Sequence, residues 1–281
     1  MIKTVMSHSL IVALLLGGSS AALSADLDNI LYGPQAPITK PVEVGNGWYL
    51  RGDVGYNFST DGSADSFRMY DFAAASYDRV NYSDSEFDSD FTWGLGAGYQ
   101  INNWFRVEGL ATATTGKFKG QSSSGSVPCT GVAAGTGCDT RGTADYTAWG
   151  LMANGYVDMG TFSGWTPYVG AGVGATLVKY DDYRVNETCS GGACAVPPAT
   201  NRTTHPGADE WRFTYALMAG VAYEFARNWK VDLGYKYTNV DGGQMYRFDS
   251  ASRTAGASGV QSHDDGFDTH QILASLRYSL W

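Results

Sequence analysis

The chain has 281 residues, 43% hydrophobic and 17% charged, with 36 glycines, 18 tyrosines, 12 phenylalanines and 8 tryptophans. Mean hydropathy is −0.22, and no apolar run approaches the roughly 18 residues of a membrane-spanning helix, which excludes a helical membrane protein. A formal charge of −9 speaks against nucleic acid as a partner, since phosphate binding needs clustered Lys and Arg.

Strong helix formers are scarce and Gly and aromatic residues plentiful, so the composition is that of a mostly β chain. Met1 to Ala25 reads as a secretory signal peptide, with Lys3 as its basic start, Leu10 to Leu16 as its apolar stretch and small residues before the cut. Cleavage after Ala25 or after Ala22 exports the chain and leaves a formal charge of about −10. Residues 26–46 carry three prolines and no periodicity, which predicts a periplasmic leader ahead of a barrel domain at 47–281.

From residue 47 the sequence alternates. In the first run Trp48, Leu50, Val54, Tyr56 and Phe58 oppose Tyr49, Arg51, Asp53 and Asn57; in the second, Phe91, Trp93, Leu95, Ala97, Tyr99 and Ile101 oppose Thr92, glycines and Gln100. Phe105, Val107 and Ala111 then oppose Arg106, Glu108 and Thr112, and Trp149, Leu151, Ala153 and Val157 oppose Asn154, Tyr156 and Asp158. Val169, Ala171, Val173 and Leu177 oppose Tyr168 and three glycines. The longest run, Trp211 to Phe225, sets apolar residues against Arg212, Thr214, Met218 and Glu224. Trp229, Val231, Leu233, Tyr235 and Tyr237 oppose Lys230, Asp232 and Lys236, and a last run from Thr269 to Trp281 alternates less cleanly. Period two predicts eight strands with one apolar and one polar face.

The connections sort by length. Those at 102–103, 160–165 and 226–228 are short, whereas 59–89, 115–143, 178–210 and 238–266 each run to about thirty residues, far above an ordinary hairpin loop. Strict short-long alternation with an even strand number predicts an all-β, antiparallel up-and-down transmembrane barrel of eight strands, with long extracellular loops and periplasmic termini. Charge supports that facing. Arg51, Arg106, Arg212, Lys230 or Lys236 turned to lipid would each cost roughly 2 to 4 kcal/mol at midplane. Turned inward they meet Asp53, Glu108, Asp158, Glu224 and Asp232 in a paired lumen. Trp48, Trp104, Trp165, Trp229 and Trp281 fall at one set of strand ends and Trp93, Trp149 and Trp211 toward the other, as two aromatic girdles.

The stretches GWYLRGDVGY (47–56), WGLGAGYQINNWFRVE (93–108), LMANGYVDMG (151–160), TPYVGAGVGA (166–175), MAGVAYEFARNWKVDLGYKY (218–237) and LRYSLW (276–281) resemble the opacity-type surface antigens of alphaproteobacteria, outer-membrane β-barrels of the "porin family". The resemblance covers strands and short turns, not loops. It implies an eight-stranded barrel in the outer membrane with loops exposed to the exterior. One departure stands out: Tyr278 and Trp281 are three apart, where such barrels end on aromatics two apart. Either Leu280 takes the outward place or the register shifts, which leaves Arg277 unassigned.

Four cysteines in an exported chain suggest disulfides. Local pairs Cys129 with Cys138 and Cys189 with Cys194 close the smallest rings, with pairing between loops as the alternative. No metal-ligand spacing accompanies them, His205 being the nearest candidate, and no cofactor is suggested. The motifs GLGAG and GAGVG sit inside strands, so they are not nucleotide loops.

Eight strands leave room only for side chains, so Tyr49, Tyr156, Tyr168, Met152 and Met218 are expected to fill the lumen beside small glycines at 94, 96, 98, 170, 172 and 174. Asp84, Glu86, Asp88 and Asp90 read as a solvated loop edge rather than as a cation site. A lipid-modifying enzyme would need His263 or His270 with Asp264, Asp265 or Asp268 and Ser262 or Ser275, and the spacing does not favour one. The expected role is structural: envelope integrity and presentation of surface loops, without catalysis, with a narrow porin as the alternative. Expected partners are outer-membrane lipid, lipopolysaccharide, the barrel assembly machinery and an extracellular surface partner of unknown identity.

Overall fold

In lipid every backbone N–H and C=O must be satisfied within the protein, and a strand-based chain manages this only by closing its sheet. The computed structural model describes residues 47–71, 75–124, 137–190 and 200–280. In chain order its strands are β1 (Gly47–Gly62), β2 (Ser66–Asp71), β3 (Ser76–Asn81), β4 (Asp84–Gln100), β5 (Phe105–Ser124) and β6 (Gly137–Asp158), then β7 (Trp165–Tyr180), β8 (Tyr183–Ser190), β9 (Thr200–His205), β10 (Asp209–Ala226), β11 (Trp229–Arg247) and β12 (Val260–Ser279). A short helix, α1 (Ser250–Thr254), precedes β12. The long strands form an eight-membered antiparallel ring, β1-β4-β5-β6-β7-β10-β11-β12, which closes where β12 pairs with β1 from Ser279↔Tyr49 to Phe267↔Gly62. The proposed export segment, the leader, Cys129, Cys194 and Trp281 lie outside the described residues.

The ring is staggered. Following paired residues around it from Leu50 leads through Ala97, Gly109, Ala153, Val173, Tyr215, Asn239 and Asp268 back to β1 at Asp61. Discounting the bulge between Asn57 and Ser59, the offset is about ten residues, which tilts the strands by about 40° and fixes a narrow interior.

The outward face is apolar. Trp93, Leu95, Trp149, Leu151, Trp211, Phe213 and Leu233 are more than half exposed, a belt that belongs in lipid. Trp93, Trp149 and Trp211 fall on one paired row across β4 to β10. At the short-turn end Trp48 packs edge-on against Tyr99, and Trp165 and Trp229 lie against Tyr223 and Tyr278.

The strands extend well beyond the belt, into segments that sequence reasoning assigned to loops. Their amphipathicity reverses there. On β6 the outward residues change from Leu151 and Trp149 to Asp145, Thr143, Arg141 and Asp139, while Tyr146, Ala144 and Cys138 turn inward. On β5 Lys117 and Lys119 point out and Phe118 is fully buried. A strand in water hides its apolar face and a strand in lipid shows it, so a search for outward apolar residues stops at the boundary. Phe87, Phe118, Tyr146, Tyr180, Tyr183, Tyr246 and Phe267 thereby form a core inside the loop end of the barrel. The two short hairpins extend this end: β8 pairs with β6 beyond β7, and β2 touches β12 at Phe67↔Ser262.

The irregular last strand has a local cause. Gly266 takes φ +96, a conformation that favours glycine, and the inward face passes from Asp264 before it to Phe267, Thr269, Gln271, Leu273, Ser275 and Arg277 after it. Leu276, Tyr278 and Leu280 face out, so Leu280 takes the outward place and Arg277 faces the lumen.

Large interior side chains need small neighbours. A Cβ on Gly98 would lie 2.2 Å from Tyr49 Cζ, and one on Gly170 2.4 Å from Tyr156 Cδ1. Gly98→Ala therefore overpacks the lumen and lowers the urea unfolding midpoint, at a cost of about 1 to 3 kcal/mol. Adding Tyr49→Ala relieves part of that loss; a double variant whose losses simply add counts against the contact.

Candidate functional site

Residues that face inward on an eight-stranded ring converge on one axis, so charges from distant strands meet. Glu108 on β5 is the hub. Its carboxylate accepts hydrogen bonds from Arg51 Nη1 at 3.1 and 3.2 Å, from Tyr49 Oη at 3.1 Å, from Tyr156 Oη at 3.0 Å and from Asn154 Nδ2 at 3.2 Å. Arg51 also donates to Asp53 at 2.6 Å and to Ser275 Oγ at 3.0 Å. Nearer the short turns Arg106 Nε donates to Asp158 at 3.1 Å. Its two Nη atoms make no hydrogen bond among the described residues, but the guanidinium lies 4.1 Å from the ring centre of Tyr156 and 4.7 Å from that of Tyr168. The aromatic faces take the place of acceptors.

Asp232 pairs with Arg277 through two bonds of 2.6 and 2.7 Å. Further toward the loops Asn57, Thr92 and Gln271 form an uncharged layer, with Gln271 Nε2 donating to Asn57 Oδ1 at 2.7 Å. Above it Arg212 grips Asp264 with two bonds of 2.8 Å, and Tyr180 donates to the same carboxylate at 2.9 Å. Met152, Met218, Tyr156 and Tyr168 pack between the charged layers.

The structure therefore brings together Arg51, Asp53 and Glu108, and separately Arg106 with Asp158. It gives Asp232 and Arg212 partners that the strand patterns did not supply, Arg277 and Asp264. Asp264 stood in a presumed loop, where only the reversed alternation around Gln261 to Phe267 could have revealed it. Glu224 and Lys230 stand on the inward side, Lys230 opposite Arg277 in the β11–β12 ladder, but at the rim of the barrel. They flank the β10–β11 turn at a register shift and pair with each other at 3.1 Å, with the Glu224 side chain 42% exposed. Lys236 is buried and makes no ion pair among the described residues.

The remaining candidates disperse. Asp84, Glu86, Asp88 and Asp90 lie on the exposed face of β4, with Glu86 held by Lys119 at 3.2 Å. His263 is exposed while its neighbour Asp264 is buried in the Arg212 pair. His270 sits outside among Phe58, Tyr235 and Tyr237, and Ser275 inside under Arg51. Cys138 and Cys189 are buried, face each other across the β6–β8 ladder, and neither is a free thiol.

Residues 10–279 match the family model described as an outer membrane protein beta-barrel domain. The chain is 36% identical to an uncharacterised protein of Brucella abortus over 92% of its own length and 93% of that protein's. It is 26% identical to a candidate adhesin of Rickettsia felis, over 86% and 92% respectively. Among solved structures it is similar to the outer membrane protein OprG of Pseudomonas aeruginosa, with a TM-score of 0.45 and 16% identity, covering 84% of this chain and 96% of that one.

Removing one partner from a buried pair leaves an uncompensated charge, at a cost of about 3 to 5 kcal/mol, whereas exposed pairs contribute about 1 or less. Glu108→Leu is therefore expected to lower unfolding stability in urea by the larger amount and Glu224→Leu by the smaller. Equal effects, read from the same unfolding curves, contradict the assignment of Glu108 as hub.

Proposed function

The chain belongs to the outer membrane protein beta-barrel family, and from that premise we propose that it is a structural barrel that strengthens the outer membrane and presents its loop-end segments outside the cell. Export removes residues 1–25 or 1–22, the short turns and termini face the periplasm, and no catalysis is involved. Lipid, lipopolysaccharide and the barrel assembly machinery are its partners, with an extracellular surface contact at the loop end. Similarity to the Rickettsia felis candidate adhesin supports that contact.

One observation carries the non-conducting reading. The lumen is filled at successive depths, by Arg106 with Tyr156 and Tyr168, by Arg51 with Glu108, by Asn57 with Gln271, and at the loop end by the aromatic core. A permeating ion would have to displace buried pairs that hold each other through charge-assisted hydrogen bonds.

Purified protein inserted in a planar lipid bilayer is expected to give no steady conductance. Stable open steps that vanish without the protein overturn this reading in favour of a narrow pore for small solutes.

Local disulfides, Cys129 with Cys138 and Cys189 with Cys194, complete the proposal. Trypsin places the first pair in one peptide, residues 120–141, and the second in another, residues 185–202. Local pairing leaves the two peptides separate without reductant, each lighter by two hydrogens than its reduced form. A single species containing both peptides means pairing between the loops.

A further inference from the structure

Neither the charge layers nor the aromatic core accounts for a cavity at the loop end. It lies among β2, the β8–β9 hairpin, α1 and the start of β12, with a volume of about 160 Å³. The rings of Phe67, Tyr70, Tyr183 and Tyr246 wall it, and Tyr183 stacks on Tyr246 with centroids 4.4 Å apart. A cavity of about 150 Å³ accepts one benzene ring, so this one has the size of a single six-membered ring.

Its polar lining distinguishes it from an apolar void. Tyr246 Oη and Thr203 Oγ1 make no hydrogen bond among the described residues, although Tyr246 is only 1% exposed. Buried polar atoms are normally partnered. Two unmet hydroxyl groups beside one ring-sized space match a guest that itself carries a hydroxyl group.

Charge narrows the class. Among the described residues no Lys or Arg lines the cavity, whereas Asp249 does, which disfavours an anion. Asp249 is committed to capping α1, accepting from Ser252 N at 2.8 Å and from Ser252 Oγ at 2.9 Å. His205 Nδ1 stands 4.0 Å from Asp249, and burial, opposed by that carboxylate, holds its pKa below the usual 6.5. The imidazole is thus neutral at pH 7 and offers no anchor for an acid.

We propose that this cavity binds an uncharged molecule of one ring bearing hydroxyl groups, a free sugar or a phenol. The site shares Tyr183 and Tyr246 with the aromatic core but none of the charged lumen residues, and it does not depend on whether the barrel conducts.

The test uses the full chain purified from membranes in detergent, with saturation-transfer NMR on D-glucose, phenol and benzoate. Glucose or phenol is expected to bind saturably and benzoate not to bind; which of the first two binds identifies the source. Tyr246→Phe combined with Gln261→Leu should weaken binding by about tenfold or more, with heat-modifiable gel mobility unchanged. If that double variant does not fold, Thr203→Val on the peripheral hairpin takes its place and should also weaken binding. Absence of saturable binding by both neutral probes, binding indifferent to these substitutions, or benzoate binding as well as the neutral rings overturns the proposal.

Discussion

The ladder that joins β12 to β1 is the constraint on which everything else rests. Closure removes the two sheet edges that lipid could not hydrogen-bond, and it fixes strand number and stagger together. Those two quantities set the interior width, and the width decides what the inward residues must do. At that width they interlock. Tyr49 lies over Gly98 and Tyr156 over Gly170 for that reason, and Glu108 collects donors from two other strands, β1 and β6, because all of them point at the same axis.

Charge in such a place is stabilised only by completeness. A buried carboxylate is costly until its lone pairs are met, and Glu108 meets its requirement with a guanidinium, two phenols and an amide. Arg106 reaches the same end differently, with one carboxylate and two aromatic faces. The buried tyrosines thus serve twice, as filling and as partners.

The sequence disclosed the ring readily, because in lipid the outward residues are uniformly apolar and the period of two is plain from Trp48 to Phe58 or from Trp211 to Phe225. It disclosed the lumen less well. Alternation shows that Arg51, Glu108 and Asp158 share a face, but partner choice depends on stagger, which no single strand encodes. Asp232 was thus left without Arg277, and Arg212 without Asp264. The loop-end core was hidden for a different reason. Past the belt the same period of two continues with its sign reversed, so Tyr146 and Phe118 resemble loop aromatics until the strands carrying them are seen to pair. Gly266 adds a change of face within β12 that a strict alternation cannot follow.

The reversal on β6 also sets a height. From Trp149, the last outward aromatic, the strand runs on to Gly137, which at about 3.3 Å per residue and the tilt of a staggered ring amounts to about 30 Å of rise. That equals the hydrocarbon thickness of a typical bilayer. On this side the wall is consequently a pedestal as much as an anchor: β5 and β6 stand clear of the lipid at the loop end, and an approaching body meets that sheet before it meets the membrane surface.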